Sequence, residues 1–395
     1  MSGALNGKRI LIGVSGGIAI YKTLSLLSQL NKAGAMTEVV MTQGAKKFIQ
    51  PMTFETMSKN RVYDDTFTLD HGEIPHIVLG RRNEVMMIAP ASADVIAKLA
   101  HGIADDLLTA AVLAATCPVI ICPAMNVVMY QNPATQANLD ILRKRNFRIV
   151  EPGSGWLACN EVGDGRMPEA EELFDVLDSF FTEQDLQGRK ILVTAGPTRE
   201  RIDPVRFITN DSSGRQGVAI ARRAAKRGAE VLLIHGPLQV EVPKGVKAER
   251  INSTEELHQA VKRALPSFDA LVMAAAPSDY APLRCADHKI KKDSGESLAT
   301  LELKENADIL ADVGKDKGKR VLIGFAAETH DLLENAVKKL KRKNLDYIIC
   351  NDVSRPGVGF DGETNAVTIL SAGGAVEVPM MSKEEIADRI LDLLK

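Results

Sequence analysis

Pro123-Ala124-Met125-Asn126 closes the apolar run Val119 to Cys122 and opens Val127 to Tyr130. An apolar run ending in a proline and an amide has the character of the C-terminal rim of a buried parallel strand, the edge at which open α/β sheets hold ligands. A second stretch, Gly13-Val-Ser15-Gly16-Gly17, stands before a helical pattern. It offers backbone N–H groups, a hydroxyl and the positive end of a helix dipole, which together suit a phosphate; a tight turn without a ligand is the alternative. It has neither the GxGxxG spacing nor a Walker lysine, so a monophosphate such as that of FMN fits better than a dinucleotide or a triphosphate. A third stretch, the Gly-studded segment from Gly153 to Met167, carries Cys159 at its centre.

The second half holds its own chemistry-bearing loops. Thr194-Ala-Gly-Pro-Thr-Arg-Glu200 reads as a strand-end turn, and Ile208 to Gly217 as a polar Gly loop that opens a helix. Together they can hold phosphate or simply cap the helix. Lys289-Ile-Lys-Lys292 is a basic cluster that is either a solvated turn or part of a larger set. With Asp279, Lys339 and Lys343 on other loops, a polyphosphate and a divalent cation can be neutralised from several sides.

These loops need a scaffold of strands and helices in alternation. Lys8 to Val14, Ala35 to Met41, Val85 to Ala89 and Val119 to Cys122 read as strands, with a helix from Ala19 to about Lys32 and another through Leu99. The strand ends Thr42-Gln-Gly-Ala and Pro90-Ala-Ser92-Ala93-Asp94 share one rim with Pro123 to Asn126, where a flat cofactor would lie. After an amphipathic helix from Glu169 to about Phe181, the polar stretch Thr182 to Gly188 reads as a linker. The pattern then restarts at Arg189, with strands at 230–235, 270–276, 320–326 and 346–351. Helices are expected at 219–227, 254–264 and 332–343, then a hairpin at 367–379 and a closing helix from Lys383. The expectation is an α/β chain of two doubly wound, mostly parallel-sheet domains, residues 1–187 and 188–395.

Composition narrows the function classes. The 395 residues are 45% apolar and 25% charged, as in soluble globular proteins, and length favours two domains. A net charge of −2, from 49 basic and 51 acidic residues, gives no footprint for nucleic acid. No apolar run is long enough to span a bilayer and the first residues lack the layout of a secretory signal, so a cytoplasmic location with small-molecule partners and no membrane association is expected. Five cysteines without a CxxC pair argue against a disulfide framework or a zinc site. Most are expected to be small buried apolar residues, with Cys159 the exception.

GVSGGIAIYK, MTQGA, APASADVIAKLAHGIADDLL, PAMNVVMY and ACNEVGDGRM, in that order over residues 8–180, resemble the flavin-dependent phosphopantothenoylcysteine decarboxylases. The resemblance implies a flavodoxin-like flavoprotein domain with FMN between the subunits of a trimer. It also implies oxidation of the substrate's cysteine end to a thioaldehyde, loss of carbon dioxide and reduction. Gly13, Ser15, Gly16, Gly17, Thr42, Ser92 and Ala93 would contact FMN. His76 matches the histidine needed for oxidative decarboxylation, and Asn126 an amide that holds the substrate. Cys159 matches a flap cysteine that protonates the enethiolate. Asp94 and Arg82-Asn-Glu84 depart from the family pattern.

Over residues 188–395 the loops above, with GFAAET and KNLDYIICND, resemble phosphopantothenate–cysteine ligases, with a Rossmann-like fold. The order of the two halves is that of the bacterial bifunctional coenzyme A biosynthesis proteins. This implies that 4′-phosphopantothenate is activated by CTP and Mg²⁺ as an acyl-cytidylate, which the amine of cysteine then attacks. Asn210 would hold that intermediate and Lys289 aid its formation. Ala275, Asp279, Lys289, Ala307, Asp308, Ile309, Leu310, Phe325, Lys339 and Lys343 would bind the nucleotide, with Asp279 toward the metal; Ala307 replaces a usual proline. Trimers of the first half and dimers of the second would make a homo-oligomer, a dodecamer. A flavin-binding regulatory subunit without turnover is the main alternative, disfavoured by His76, Asn126 and Cys159 together. A dinucleotide or nucleotide-sugar enzyme has only the generic α/β pattern behind it.

Overall fold

The computed structural model describes residues 3–68, 72–156, 162–290, 301–328, 332–352, 362 and 364–395. They form two compact units that divide between Thr182 and Glu183.

In the first unit β1 (Arg9–Val14) leads through the Gly turn to α1 (Ile20–Lys32) and β2 (Met36–Met41). Then come α2 (Gln43–Lys46), α3 (Pro51–Ser58), β3 (Val62–Tyr63), α4 (Pro75–Arg82), β4 (Val85–Ala91), α5 (Ala93–His101), α6 (Leu107–Leu113) and β5 (Val119–Pro123). The chain continues through α7 (Val127–Gln131), α8 (Pro133–Lys144) and β6 (Arg148–Ile149) to a hairpin, β7 (Gly153–Trp156) and β8 (Val162–Arg166), and closes with α9 (Ala170–Phe181). β1 to β6 make one parallel sheet in the order β3-β2-β1-β4-β5-β6, which reverses between β1 and β4. Successive side chains on a strand face opposite ways, so each strand feeds two cores. Ile10, Ile12, Val14, Met87 and Ala89 pack with α1 and α9, whereas Leu11, Met86 and Ile88 pack with α5 and α6. All seven residues of β4 are buried, as a central parallel strand requires.

The second unit repeats the plan. β9 (Lys190–Ala195) is followed by a small antiparallel pair, β10 (Arg199–Arg201) and β11 (Phe207–Thr209), then α10 (Arg215–Lys226), β12 (Glu230–His235), β13 (Lys247–Arg250), α11 (Thr254–Ala264) and β14 (Ala270–Met273). A second small pair, β15 (Tyr280–Pro282) and β16 (Leu303–Glu305), precedes α12 (Ile309–Lys315), β17 (Val321–Glu328), α13 (Leu332–Arg342) and β18 (Tyr347–Asp352). The hairpin of β19 (Thr364–Ser371) and β20 (Gly374–Ser382) and the helix α14 (Lys383–Leu391) complete it. The sheet order is β13-β12-β9-β14-β17-β18-β19-β20, parallel from β13 to β18 and antiparallel thereafter. The short segment after α9 packs on this unit. Leu186 is fully buried in its core, and Asp185 bonds the guanidinium of Arg227 through two hydrogen bonds of 2.8 Å.

The cysteines only partly follow expectation. Cys122 and Cys350 are buried, Cys117 is half-buried and Cys285 is exposed. Burial pushes the Cys122 thiol far above its ordinary range, so it stays inert. Among the described residues no helix is long and apolar enough to cross a membrane.

Candidate functional site

In the first unit the Gly turn, the α2 and α5 N-termini and the Pro123–Asn126 turn all lie at the C-terminal edge of the parallel sheet. Ser15 is completely buried. Its hydroxyl donates to Pro90 O at 2.7 Å and accepts from Ser92 N at 2.8 Å, so it ties two strand ends together instead of standing open to a ligand. Thr42 and Ser92 likewise cap α2 and α5, accepting from Ala45 N and Val95 N, with Ala93 the first residue of α5. Gly13 serves packing: a Cβ there would lie 2.5 Å from Leu108 and 2.6 Å from Ile88. Gly16 approaches Gly44 so closely that a Cβ would meet its carbonyl carbon at 3.0 Å, whereas Gly17 has no such neighbour inside 3.9 Å. The rim is therefore built from close backbone approach, with the side-chain oxygens engaged internally.

Asn126 caps α7, its Oδ1 accepting from Val128 N at 2.8 Å and Met129 N at 3.4 Å, which fixes the amide plane. The β7–β8 hairpin lies against this turn. Met125 N donates to Gly165 O at 3.0 Å, and Gly165, at φ 130°, is so near that a Cβ would sit 2.5 Å from Met125 O. Both roots of the hairpin are fastened. Tyr130 in α7 donates to Glu151 at 2.8 Å, and burial, aided by that carboxylate, pushes its phenol up to about 12. On the other side the buried Lys22 of α1 donates to Met167 O at 2.6 Å and Glu169 at 3.0 Å. Cys159, expected at the crown, lies outside the described residues.

His76 occupies the first turn of α4. A crossover helix runs antiparallel to the strands, so this turn belongs to the ligand edge. Gly80 lets α4 close on α6, since a Cβ there would lie 2.7 Å from Ala114 O. His76 Nδ1 is buried without a hydrogen-bond partner, which leaves it available to a bound group.

In the second unit a cavity of about 720 Å³ opens at the strand ends where the sheet order reverses between β9 and β14. Its lining brings together Asn210, Ala275, Asp279, Ala307, Asp308, Ile309, Leu310, Phe325, Lys339 and Lys343. The amide of Asn210 donates to Pro277 O at 3.0 Å and Ala276 O at 3.4 Å. Asp308 caps α12 and pairs with Lys343 at 2.9 Å. Lys289 is exposed and does not line this cavity. Its loop is clamped next door: the fully buried Asp203 accepts from Ile290 N at 3.2 Å, and Arg206 donates to Ile290 O at 2.7 Å.

The motif reading missed Arg215 and Gln216 as single residues of the lining, and also Ser278, Asn351, Asn365 and Lys383. Four of the six buried side-chain atoms without a hydrogen-bond partner among the described residues are Arg215 Nε, Gln216 Oε1, Ser278 Oγ and Asn351 Oδ1, and all four belong to this cavity's lining. Each such atom costs about 1–3 kcal/mol unless something bonds it, so the set describes a polar ligand. A polar residue ending an apolar strand was the available signal for Asn351. Lys383 carried none, because Ser382 and Glu385 form an ordinary capping box around it.

Two family models match: that described as Flavoprotein over residues 1–182, and that of the DNA/pantothenate metabolism flavoprotein C-terminal domain over residues 186–395. The coenzyme A biosynthesis bifunctional protein CoaBC of Bacillus subtilis is 45% identical over 394 residues, 98% of this chain and 96% of the relative. That of Vibrio cholerae is 43% identical over 393 residues, 99% of this chain and 98% of the relative. A crystal structure of the C-terminal domain of such a CoaBC protein covers 54% of this chain and 96% of that chain at 39% identity, with a TM-score of 0.46.

Proposed function

The chain belongs to the family of bifunctional coenzyme A biosynthesis proteins, and from that premise we propose that its second unit joins cysteine to 4′-phosphopantothenate and its first decarboxylates the product to 4′-phosphopantetheine. It is an enzyme with a decarboxylase half and a ligase half.

FMN is the flavin of this reading, and when bound it supplies a two-electron acceptor that returns what it takes. The close Gly16–Gly44 approach, which any side chain would fill, and the unbonded His76 Nδ1 fit such a group and its substrate. Gly17 and the first turn of α1 give the phosphate its N–H groups and dipole. Asn126 holds the substrate carboxylate with a pre-positioned amide. His76 holds or moves the proton of the reacting thiol. After the bond to the carboxylate breaks and carbon dioxide leaves, the enethiolate takes a proton from the Cys159 thiol.

In the ligase half the substrate carboxylate attacks the α-phosphorus of CTP, the bond to the β-phosphate breaks, and pyrophosphate departs with the bonding pair. Asn210 holds the resulting acyl-cytidylate, Lys289 on its clamped loop assists its formation, and the amine of cysteine displaces cytidine monophosphate. Among the described residues no group of three His, Cys, Asp or Glu side chains can hold a metal. Asp279 would be the residue of this reading that helps to hold Mg²⁺, which would neutralise charge on the phosphates, as is usual for an ion that keeps few protein ligands. The active assembly of this reading is a cytoplasmic homo-oligomer.

The observation that carries the proposal is the single cavity whose lining unites Asn210, Asp279, the 307–310 turn, Phe325, Lys339 and Lys343. The full chain, given 4′-phosphopantothenate, cysteine, Mg²⁺ and each nucleoside triphosphate in turn, should release pyrophosphate fastest with CTP and then evolve carbon dioxide. Bound flavin should colour the purified protein. Failure to form the amide and to release carbon dioxide under all these conditions would falsify the reading.

A further inference from the structure

The residue that holds the Lys289 loop in place has no role in the reading above. β10 and β11 form a hairpin whose residues pair as Arg199 with Thr209, Glu200 with Ile208 and Arg201 with Phe207. Its turn, 202–206, is closed by Ile202 N donating to Arg206 O at 2.9 Å. Asp203 within that turn is fully buried. Its Oδ1 accepts from Val205 N and Arg206 N, each at 2.8 Å, which is what an aspartate does in an ordinary turn. Its Oδ2 reaches beyond the turn: it accepts from Arg206 Nε at 2.9 Å and Nη2 at 2.6 Å, and from Ile290 N at 3.2 Å, 87 residues further on.

The hold on Ile290 is two-sided, because Arg206 Nη2 also donates to Ile290 O at 2.7 Å. Ala286 N donates to Ile202 O at 2.9 Å, so the exposed Lys289 stands between two points fastened to the same turn. The far end of the hairpin belongs to the cavity. Thr209 Oγ1 donates to Thr198 O at 2.7 Å, and Asn210, the next residue, donates to Pro277 O at 3.0 Å in the cavity lining. One three-residue strand, about 10 Å long, therefore separates Asn210 from the turn that grips the neighbours of Lys289. A solvated basic loop needs no such anchorage: a fully buried carboxylate loses its hydration, and a turn alone would be satisfied by Oδ1.

We propose that Asp203 is a positioning residue of the ligase half: through Ile290 it fixes the backbone from which Lys289 acts, at a set distance from Asn210. This rests on the ligase reading, in which Lys289 aids formation of the acyl-cytidylate and Asn210 holds it. Asp203 itself touches no substrate. When the substrate carboxylate attacks the α-phosphorus, a lysine preset in this way need not be ordered as charge develops, so the arrangement acts on the rate more than on the binding of the nucleotide. Asp203→Asn keeps the shape of the side chain but turns one oxygen into an NH₂ group, which cannot accept from Arg206 and Ile290. With Oδ1 retained by the turn, that group faces the N–H of Ile290 and the grip is lost.

The test measures pyrophosphate release from CTP by the full chain, with 4′-phosphopantothenate, cysteine and Mg²⁺ present, for Asp203→Asn, Ile290→Pro, Lys289→Gln and the double variant Asp203→Asn/Lys289→Gln. Asp203→Asn should lower kcat about 10- to 100-fold, the loss expected when a catalytic group is misplaced, with the KM for CTP within about twofold of wild type. Ile290→Pro removes the N–H that Oδ2 accepts and leaves Asp203 in place, and it should lower kcat in the same way. In the double variant the rate should equal that of Lys289→Gln, because a residue that acts through Lys289 then has nothing left to position. A further loss in the double variant overturns the proposal, since it means that Asp203 supports the fold of the site; so does a KM that rises as far as kcat falls. Wild-type rates in Asp203→Asn or in Ile290→Pro also overturn it, and Ile290→Pro decides the matter alone if the denaturation midpoint shows that Asp203→Asn does not fold. A wild-type chain that releases no pyrophosphate from any triphosphate removes the ligase reading itself, whereas a slow Lys289→Gln beside an undiminished Asp203→Asn removes only the positioning role.

Discussion

At the ligand edge of the first unit the hydroxyls of Ser15, Thr42 and Ser92 and the Oδ1 of Asn126 all bond the protein's own backbone. At the corresponding edge of the second unit Arg215, Gln216, Ser278 and Asn351 each present a buried atom that nothing in the described chain bonds. The same doubly wound plan thus yields two kinds of site. One is shaped by backbone clearance around close-approaching glycines, which suits a flat ring with a single phosphate. The other is shaped by side-chain charge and by unanswered donors and acceptors together, which suits a polar ligand that offers both. The first should be sensitive to added atoms and the second to changed charge.

The largest expected effect probes the cysteine proposed as the proton donor of the first site. Cys159→Ser should keep releasing carbon dioxide from supplied phosphopantothenoylcysteine while phosphopantetheine formation drops by about 10²–10⁴-fold, the usual weight of a general acid. Undiminished phosphopantetheine output would remove Cys159 from its role. Asn210→Asp comes next: a carboxylate facing an acyl-cytidylate repels where the amide held, so ligation should fall about 10²–10³-fold. Decarboxylation of supplied substrate should be untouched, and a parallel fall in both activities would mean that the two sites are not independent.

A smaller effect tests clearance directly. Gly16→Val places atoms against Gly44, where even a Cβ would sit at 3.0 Å, and overpacking of this kind costs about 1–3 kcal/mol. Flavin content of the purified chain should drop with pyrophosphate release from CTP intact; full flavin content would mean that this approach does not frame the cofactor.

The smallest effect concerns the segment that follows the first unit. Hydrogen bonds from Arg227, and then from Lys395, outweigh burial and hold the Asp185 carboxyl at about 2, below its ordinary 3.8. A depressed folded-state value means that its stabilisation is complete above that ordinary value and fades as pH falls toward the folded one. Asp185→Asn should therefore cost about 1 kcal/mol near neutral pH, since Arg227 keeps Asp388 and Asp392. The gap between variant and wild type should close on acidification. Denaturant midpoints measured across that range check it, and a gap independent of pH would contradict the pairing.

Several elements were legible because their signal is local. β1, β2, β12 and β18 are apolar runs, and α11 and α13 are strongly amphipathic with clear ends, so each lies within a residue or so of expectation. α10 was expected from Ala219 but starts at Arg215, because Gly217 looks like a breaker. In fact it is the clearance that lets the helix meet β9, where a Cβ would lie 2.7 Å from Thr194 O. β14 was expected to reach Ala276 and stops at Met273. Beyond it Ala275 N turns to Thr194 Oγ1 and Ala276 N to Gly196 O, which carries three alanines out of the ladder and into the cavity wall. The two small pairs, β10–β11 and β15–β16, were not expected at all: each strand has three residues, too few for any period to register.

The order of strands and helices, the restart of the pattern after the first unit, and the glycine, amide and thiol motifs are properties of neighbouring residues, so the linear chain determined them. Whether Ser15 faces a ligand or a strand end, whether Gly13 cradles or packs, and whether Lys383 belongs to a helix cap or to a cavity are questions about partners far away in the chain. Those were decided by tertiary structure, because burial and hydrogen-bond satisfaction depend on what the sheet order brings alongside.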